Sequence, residues 1–198
     1  MRLPNSTYDA RSWRLAEIAP DFSVEDVWVL PAQGERQEFR ELVHQIAEGE
    51  GAYEGERLVI LLFVVRQLIG KLFGWDRPEA GLGARVASLR DRLPKDAIFS
   101  ERGPDQRAAP WISVYRTDRE WVGEYAGRTV HALMHVGWVP VPGKAADYRG
   151  EMTILVRPAG LIGRLYMAAI RPFRRFVINP AFFRMVARNW QRHRASAQ

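Results

Sequence analysis

Cysteine is absent from the 198 residues of this chain. No disulfide framework, thiolate metal centre or cysteine nucleophile can be built from it, and a reducing, cytoplasmic setting is expected. Long apolar runs are missing too. The densest, LVILLFVV at residues 58–65, is followed by Arg66 and Lys71 and falls well short of the ~20 residues that span a bilayer. The opening residues, MRLPNSTYDARSW, have no apolar stretch of the secretory type, so neither an export signal nor an anchor is expected there. Histidine occurs four times, and none of Ser88, Ser100 and Ser113 lies in a G-x-S-x-G elbow, which leaves no sequence support for a nucleophilic triad. His44 and His193 sit among charged residues at helical spacing, without an evident partner.

Negative charge is missing from one end only. Glu151 is the last acidic residue, and the 47 positions after it contain nine arginines, so a net charge of +6 divides into +9 there and −3 elsewhere. Such a tail would attract nucleic acid, an anionic membrane surface or an acidic partner, or would lie over the acidic first half of its own chain. Nucleic acid is disfavoured, because the aromatic residues of that tail fall at inward positions rather than being interleaved with the basic ones. Arg184, Arg188 and Arg192 share a face of the last helix, with Phe183 and Trp190 nearby, a pattern that interfacial membrane helices also have.

With 47% hydrophobic residues the chain can bury one substantial core, and a single domain covering residues 1–198 is expected. EDVWVLPA, residues 25–32, alternates like a strand. From Glu35 the period lengthens to that of a helix through Phe39, Leu42, Val43 and Ile46, ending at Gly49. A second helix is read from the stripe Leu58, Leu61, Leu62, Val65, Leu68, Ile69 and Leu72, which Gly74 stops. Between residues 75 and 110 four prolines mark a long irregular stretch. Its GLGAR has only part of a dinucleotide-loop pattern, and its Asp76 and Glu79 suit a turn better than a catalytic pair.

Strand alternation returns in WISVYRTDREWV and in RTVHALMHVGWVP. A two-residue turn at Thr117 and Asp118 would set Val114 opposite Trp121 and Ile112 opposite Gly123, with Tyr115 facing Glu120. A second turn at Ala126 and Gly127 would set Trp121 opposite Ala132 and Gly123 opposite Val130. The period of two then assigns Val130, Ala132, Met134, Val136, Trp138, Met152, Ile154 and Val156 to one apolar face. His131 and His135 fall on the other, with Glu124, Thr129, Glu151 and Thr153, the makeup of a solvated or lightly covered surface. Four residues apart on a strand, the two imidazoles would stand ~13 Å from each other, too far for one metal ion, so no metal site is expected.

The end of the chain reads as helix again. Leu161, Leu165, Ala168, Ala169 and Phe173 form an apolar stripe, Pro172 should break or kink it, and Asn179 with Pro180 should start a new helix that turns Phe182, Met185, Val186 and Trp190 inward. The sum is an α+β domain: an antiparallel sheet with one face covered by C-terminal helices, and two helices inserted after the first strand.

GWDRPEAGLG, SLRDRLP, RTVHALMHVGWVP and GLIGRLYMAAIRPFRRFVINPA together resemble a bacterial domain-of-unknown-function family similar to the helix-grip superfamily of START-like and polyketide-cyclase-like proteins (SRPBCC). The likeness extends over most of the chain. It implies a cavity between the sheet and the closing helix that holds a small hydrophobic molecule, and an NAD(P)-dependent oxidoreductase as partner. It supplies no catalytic residues and no cofactor. Trp121, Tyr125, Met134, Trp138, Met152 and Tyr166 are the side chains expected to line such a cavity. Ligand binding without catalysis is the reading these features favour. A cyclase or hydratase using the same cavity, with a tyrosine or carboxylate at its mouth, is the first alternative. A module that docks on a membrane or a partner through its arginine-rich end is the other; a homodimer contact, if formed, is expected at Ile60, Phe63 and Val64, which lie off the main stripe of the second helix.

Overall fold

A computed structural model of the protein describes residues 1–49, 82, 86–95, 101–107, 109–144 and 147–196. The expected helix from Leu58 to Leu72, the glycines of GLGAR, Asp76, Glu79 and Ser100 lie outside these described residues. In chain order the elements are β1 (Arg2–Leu3), α1 (Ser6–Asp9), α2 (Arg14–Ile18), β2 (Ser23–Gly34) and α3 (Phe39–Glu48), the last entered through a 3-10 turn, Arg36–Glu38. A second 3-10 turn, Leu89–Arg92, precedes β3 (Ile112–Arg116), β4 (Glu120–Ala126), β5 (Val130–Pro140) and β6 (Tyr148–Pro158). The chain closes with α4 (Gly160–Phe173), a π-helical turn (Arg174–Ile178) and α5 (Asn179–Ser196).

The strands form one six-stranded antiparallel sheet in the order β1-β2-β6-β5-β4-β3. Five of them were legible in the sequence; the sixth, β1, is a two-residue strand hydrogen-bonded to Val27 and Trp28. Helix α3 ends where expected, with Gly49 in the left-handed region at φ 62°, where a side chain would be strained.

The apolar face assigned from the period of two is buried as one cluster. Trp121, Val130, Ala132, Met134, Val136, Trp138, Met152, Ile154 and Val156 pack under Phe39, Leu42, Val43 and Ile46 of α3 and under Phe182, Met185, Val186 and Trp190 of α5. Both hairpin registers nevertheless differ from the expected ones. The first turn sits at Asp118 and Arg119, since Thr117 N–H bonds the Glu120 carbonyl at 2.8 Å and the Thr117 hydroxyl accepts the Glu120 N–H at 3.2 Å. Arg116 thus pairs with Trp121 and Tyr115 with Val122. A bulge at Val114 then shifts the register by one, so that Ser113 rather than Ile112 lies opposite Gly123, and Val114 turns away from Trp121. Ser113 is held there by the Trp121 indole, which donates to its hydroxyl at 2.9 Å.

The second turn lies at Arg128 and Thr129, two residues later than expected, with Gly127 N–H bonded to Val130 O at 2.9 Å. Trp121 pairs with Val136 and Gly123 with Met134. Because this slip is even, every residue of β5 keeps the face it was assigned.

A larger correction concerns the opposite face, which is not solvated. It is covered by Tyr8, Trp13, Leu15, Ile18 and Phe22 from the first 22 residues, and by Leu89, which pack on Val114, Tyr115, Val122, Leu133, Val139 and Leu155. The sheet is therefore the middle of three layers.

The C-terminal helices depart from expectation in two ways. The helix does not break at Pro172 but passes into the π turn two residues later, and Asn179 does not cap a new helix; it has helical angles, φ −63° and ψ −45°, and its N–H bonds Arg174 O across the π turn. The π turn lies between the two prolines whose missing N–H groups disrupt regular α-helical bonding, so helical structure continues through both. Secondly, the stripe Leu161, Leu165, Ala168, Ala169 and Phe173 faces outward. Gly163 and Met167 make the inward contact instead, and a Cβ on Gly163 would collide with the carbonyl of Thr129.

This orientation makes a differential prediction. Met185→Ala, at a fully buried position, should destabilise the fold by about 2–5 kcal/mol, whereas Leu165→Ala should change stability by less than about 0.5 kcal/mol. Urea denaturation of the two variants checks it; equal losses would place Leu165 in the core.

Candidate functional site

All six side chains expected to line a cavity fall in the cluster between the sheet and the helices. Trp121, Met134, Trp138 and Met152 are buried in it, while Tyr125 and Tyr166 are half-buried against it, as are Trp111 and Ile170. The strand pleat explains this grouping, since Trp121 pairs with Val136 and Tyr125 with Ala132, both on the helix-covered side. Aromatic contacts tie the group together. The ring of Trp138 stacks near Tyr148 at 6.4 Å and Phe39 at 6.1 Å, and meets Trp190 edge-on at 6.0 Å, while Trp111 lies 6.1 Å from Tyr125. The Trp138 and Trp190 indoles donate to the carbonyls of Glu35 and Gln33, at 3.0 and 2.9 Å. The aromatic layer is thereby fixed at the β2 end, and Trp28, Trp111, Tyr125, Tyr148, Tyr166 and Phe183 are half-buried against it.

The other face holds a constellation that the sequence reading passed over. Glu120 lies opposite Gly137 and bonds His135, two residues before it; Glu124 lies opposite Leu133 and bonds His131, again two residues before it. One diagonal pairing is thus repeated four residues along the same hairpin, at 3.2 and 2.7 Å. All four residues are at most 4% exposed. The matching four-residue spacings, Glu120 to Glu124 and His131 to His135, were the signal for this, and a turn placed two residues later would have revealed it.

Burial of four such groups requires partners, and each carboxylate has several. Glu124 also accepts from the Ser88 hydroxyl at 2.7 Å and from Leu89 N–H at 2.8 Å. Arg157 donates to His131 Nδ1 at 3.3 Å and is itself anchored on Asp21 at 2.6 Å, which leaves Nε2 of His131 to donate to Glu124. Glu120 accepts from Arg14 N–H at 3.1 Å and from the Tyr115 hydroxyl at 3.3 Å. Burial alone would raise the Glu120 carboxyl, but the His135 hydrogen bond and charge, with the Arg14 and Tyr115 donors, outweigh it and hold its pKa below the ordinary 4.5. The same burial pushes the Tyr8 and Tyr115 hydroxyls upward, aided by the Glu120 charge.

Ser88, Glu124 and His131 do not form a nucleophilic triad. The carboxylate stands between the hydroxyl and the imidazole, so His131 is not placed to take the Ser88 proton. Access is closed as well. The rings of Tyr8 and Trp13 lie 5.6 and 4.6 Å from His135, and Phe22 lies 4.8 Å from His131. Arg11 fastens this cover by donating to Glu151 at 2.8 and 3.0 Å. The arrangement is a polar layer that fixes the hairpin register and attaches the N-terminal segment to the sheet.

Among the other candidates, His44 lies 3.9 Å from Glu48, and His193 lies 3.5 Å from Glu38. Both line a surface hollow of about 420 Å³ between α3 and α5. A second hollow of about 390 Å³ is lined by Arg36, Arg40 and Arg116, which are paired with Asp118 and Glu101. Neither hollow includes any of the six cavity residues. No group of three or more His, Cys, Asp or Glu able to hold a metal occurs among the described residues.

A family model described as protein of unknown function (DUF2867) matches residues 18–181. The match contains β2 to β6, α3 and α4, and thus both Glu–His pairs and all six aromatic-layer residues. It leaves out Tyr8 and Trp13, the rings that cover His135. No curated protein and no solved structure matches the chain.

Two measurements test the polar layer. Glu120→Gln should destabilise the fold by about 1–3 kcal/mol near neutral pH. Because the folded pKa of Glu120 lies below its unfolded value, its contribution is present above about 4.5 and is lost as the pH falls through the folded value. The difference in Tm between Glu120→Gln and the parent should therefore shrink on acidification. Tyr8→Phe, by contrast, removes a buried hydroxyl that has no hydrogen-bond partner among the described residues, and should be neutral or stabilising by up to about 1 kcal/mol.

Proposed function

Starting from a chain that belongs to the DUF2867 family, we propose that it is a non-catalytic domain that binds or carries a small hydrophobic molecule. The observation behind this reading is the convergence of Trp121, Tyr125, Met134, Trp138, Met152 and Tyr166 on one layer between sheet and helices, with Tyr125, Tyr166 and Trp111 half-buried against it. Aromatic and thioether side chains there would supply apolar contact area, and the two tyrosine hydroxyls a polar tip for orientation. The order of strand, helix, antiparallel strands and a long C-terminal helix supports a helix-grip reading of the α+β fold. An NAD(P)-dependent oxidoreductase is the protein partner we propose, on the resemblance alone.

The placement of the acid-base groups makes this layer a binding surface rather than a catalytic one in this reading. The Glu–His pairs, the best acid-base groups of the described residues, lie on the opposite face of the sheet from this layer and beneath the N-terminal rings.

A hydrophobic fluorophore titrated into the purified chain should bind saturably at one site and be displaced by a long-chain fatty acid. Ala132→Phe, which adds a ring beside Tyr125 in the middle of the layer, should weaken dye binding at least about tenfold if the fold is retained by circular dichroism. A signal that rises without saturation would mean a filled core and overturn the reading.

A further inference from the structure

Of the large hydrophobic side chains exposed among the described residues, five lie on α4 and the π turn after it: Leu161, Ile162, Leu165, Phe173 and Phe176. Leu161 and Phe176, at either end, are 71% and 70% exposed, and Ala168, Ala169 and Pro172 between them are exposed too. At ~100° per residue the α4 members share one side of the helix, opposite Gly163 and Met167, which face the sheet. Single exposed leucines are ordinary, but a continuous apolar strip this long on a helix already packed by its other side marks an interaction surface.

Charge identifies what the surface meets. Arg164 and Arg175 are exposed within the strip's length, and the Arg175 guanidinium stands 5.4 Å over the Phe176 ring. No acidic residue follows Glu151. The nearby carboxylates are supplied by β2, where Glu25 binds Arg171 and Arg174, and Asp26 binds Arg174. A second copy apposed on this face would bring arginine against arginine. A protein partner would find almost no neutral hydrogen-bonding side chain on the strip, although protein interfaces carry about one hydrogen bond per 100–200 Å². Aliphatic and phenylalanine side chains with an arginine rim match a lipid surface that presents acyl chains beneath negative headgroups.

We propose that the outward face of α4 and the π turn docks this protein flat on an anionic membrane surface, with Leu161, Ile162, Leu165, Phe173 and Phe176 inserted at the acyl boundary and Arg164 and Arg175 on the headgroups. The helix lies in the interface and does not cross it; no helix of the described residues is long and apolar enough to span a membrane. This inference is independent of the apolar-ligand reading.

Cosedimentation of the full chain with vesicles tests it. The protein should pellet with vesicles of phosphatidylcholine plus phosphatidylserine, and remain in solution with phosphatidylcholine alone. Raising the salt concentration should weaken binding, because exposed charges are screened within ~10 Å at 0.1 M. Leu165→Glu combined with Phe176→Glu should reduce binding at least tenfold while leaving the Tm unchanged, since both side chains are exposed. Failure to pellet with anionic vesicles, or equal binding by the double variant, overturns the proposal. If instead the variant loses a dimer seen by light scattering, the face belongs to a second copy. If it loses stability without any vesicle binding in the parent, another part of the chain covers the strip.

Discussion

Ten consecutive residues of β5, Val130 to Val139, are buried, and this is the constraint from which the rest of the structure follows. A strand buried on both faces must present an apolar set to each cover or satisfy whatever polar groups remain. On one side the alternate residues are apolar throughout, and helices suffice to cover them. On the other they include His131 and His135, which the neighbouring strand answers with Glu124 and Glu120. The N-terminal segment and the turn at Leu89 then close over those pairs and donate to them through Arg14 and Leu89.

The pleat also explains why the face assignment survived errors in pairing. Both turns were expected too early along the chain, yet each error moved the partners by an even number of residues, and a period of two is insensitive to even shifts. Only the bulge at Val114, a single-residue step, exchanges sides: Ser113 takes the place beside Trp121 and Val114 goes to the opposite cluster. Turn placement was misled by Gly127, which reads as a turn glycine but ends a ladder whose tight turn follows at Arg128 and Thr129. The histidines were misjudged for a related reason. Polar composition on one face reads as solvent exposure, while the rings that cover the histidines, Tyr8, Trp13 and Phe22, come from residues more than a hundred positions earlier.

Helical periodicity carries a different ambiguity. The stripe of α4 was identified correctly as apolar, but amphipathicity does not say which side meets the sheet. Close approach decides it here, because Gly163 lets the helix backbone settle against Thr129 and Pro158. In α5, where Phe182, Met185, Val186 and Trp190 have no such competitor, the inward face was the one expected. The two helices thus divide the work, α5 closing the aromatic layer and α4 presenting apolar surface outward.

Short-range periodicity alone determined the order of β2 to β6 and of the helices α3 to α5, the identity of the helix-covered sheet face and the grouping of the strand residues Trp121, Tyr125, Met134, Trp138 and Met152, because these depend only on which way successive side chains point. Tertiary structure alone decided the registers, the Glu–His pairs, the cover on the second face and the outward turn of α4. Each of those depends on a contact between distant parts of the chain, whose energy no local pattern contains.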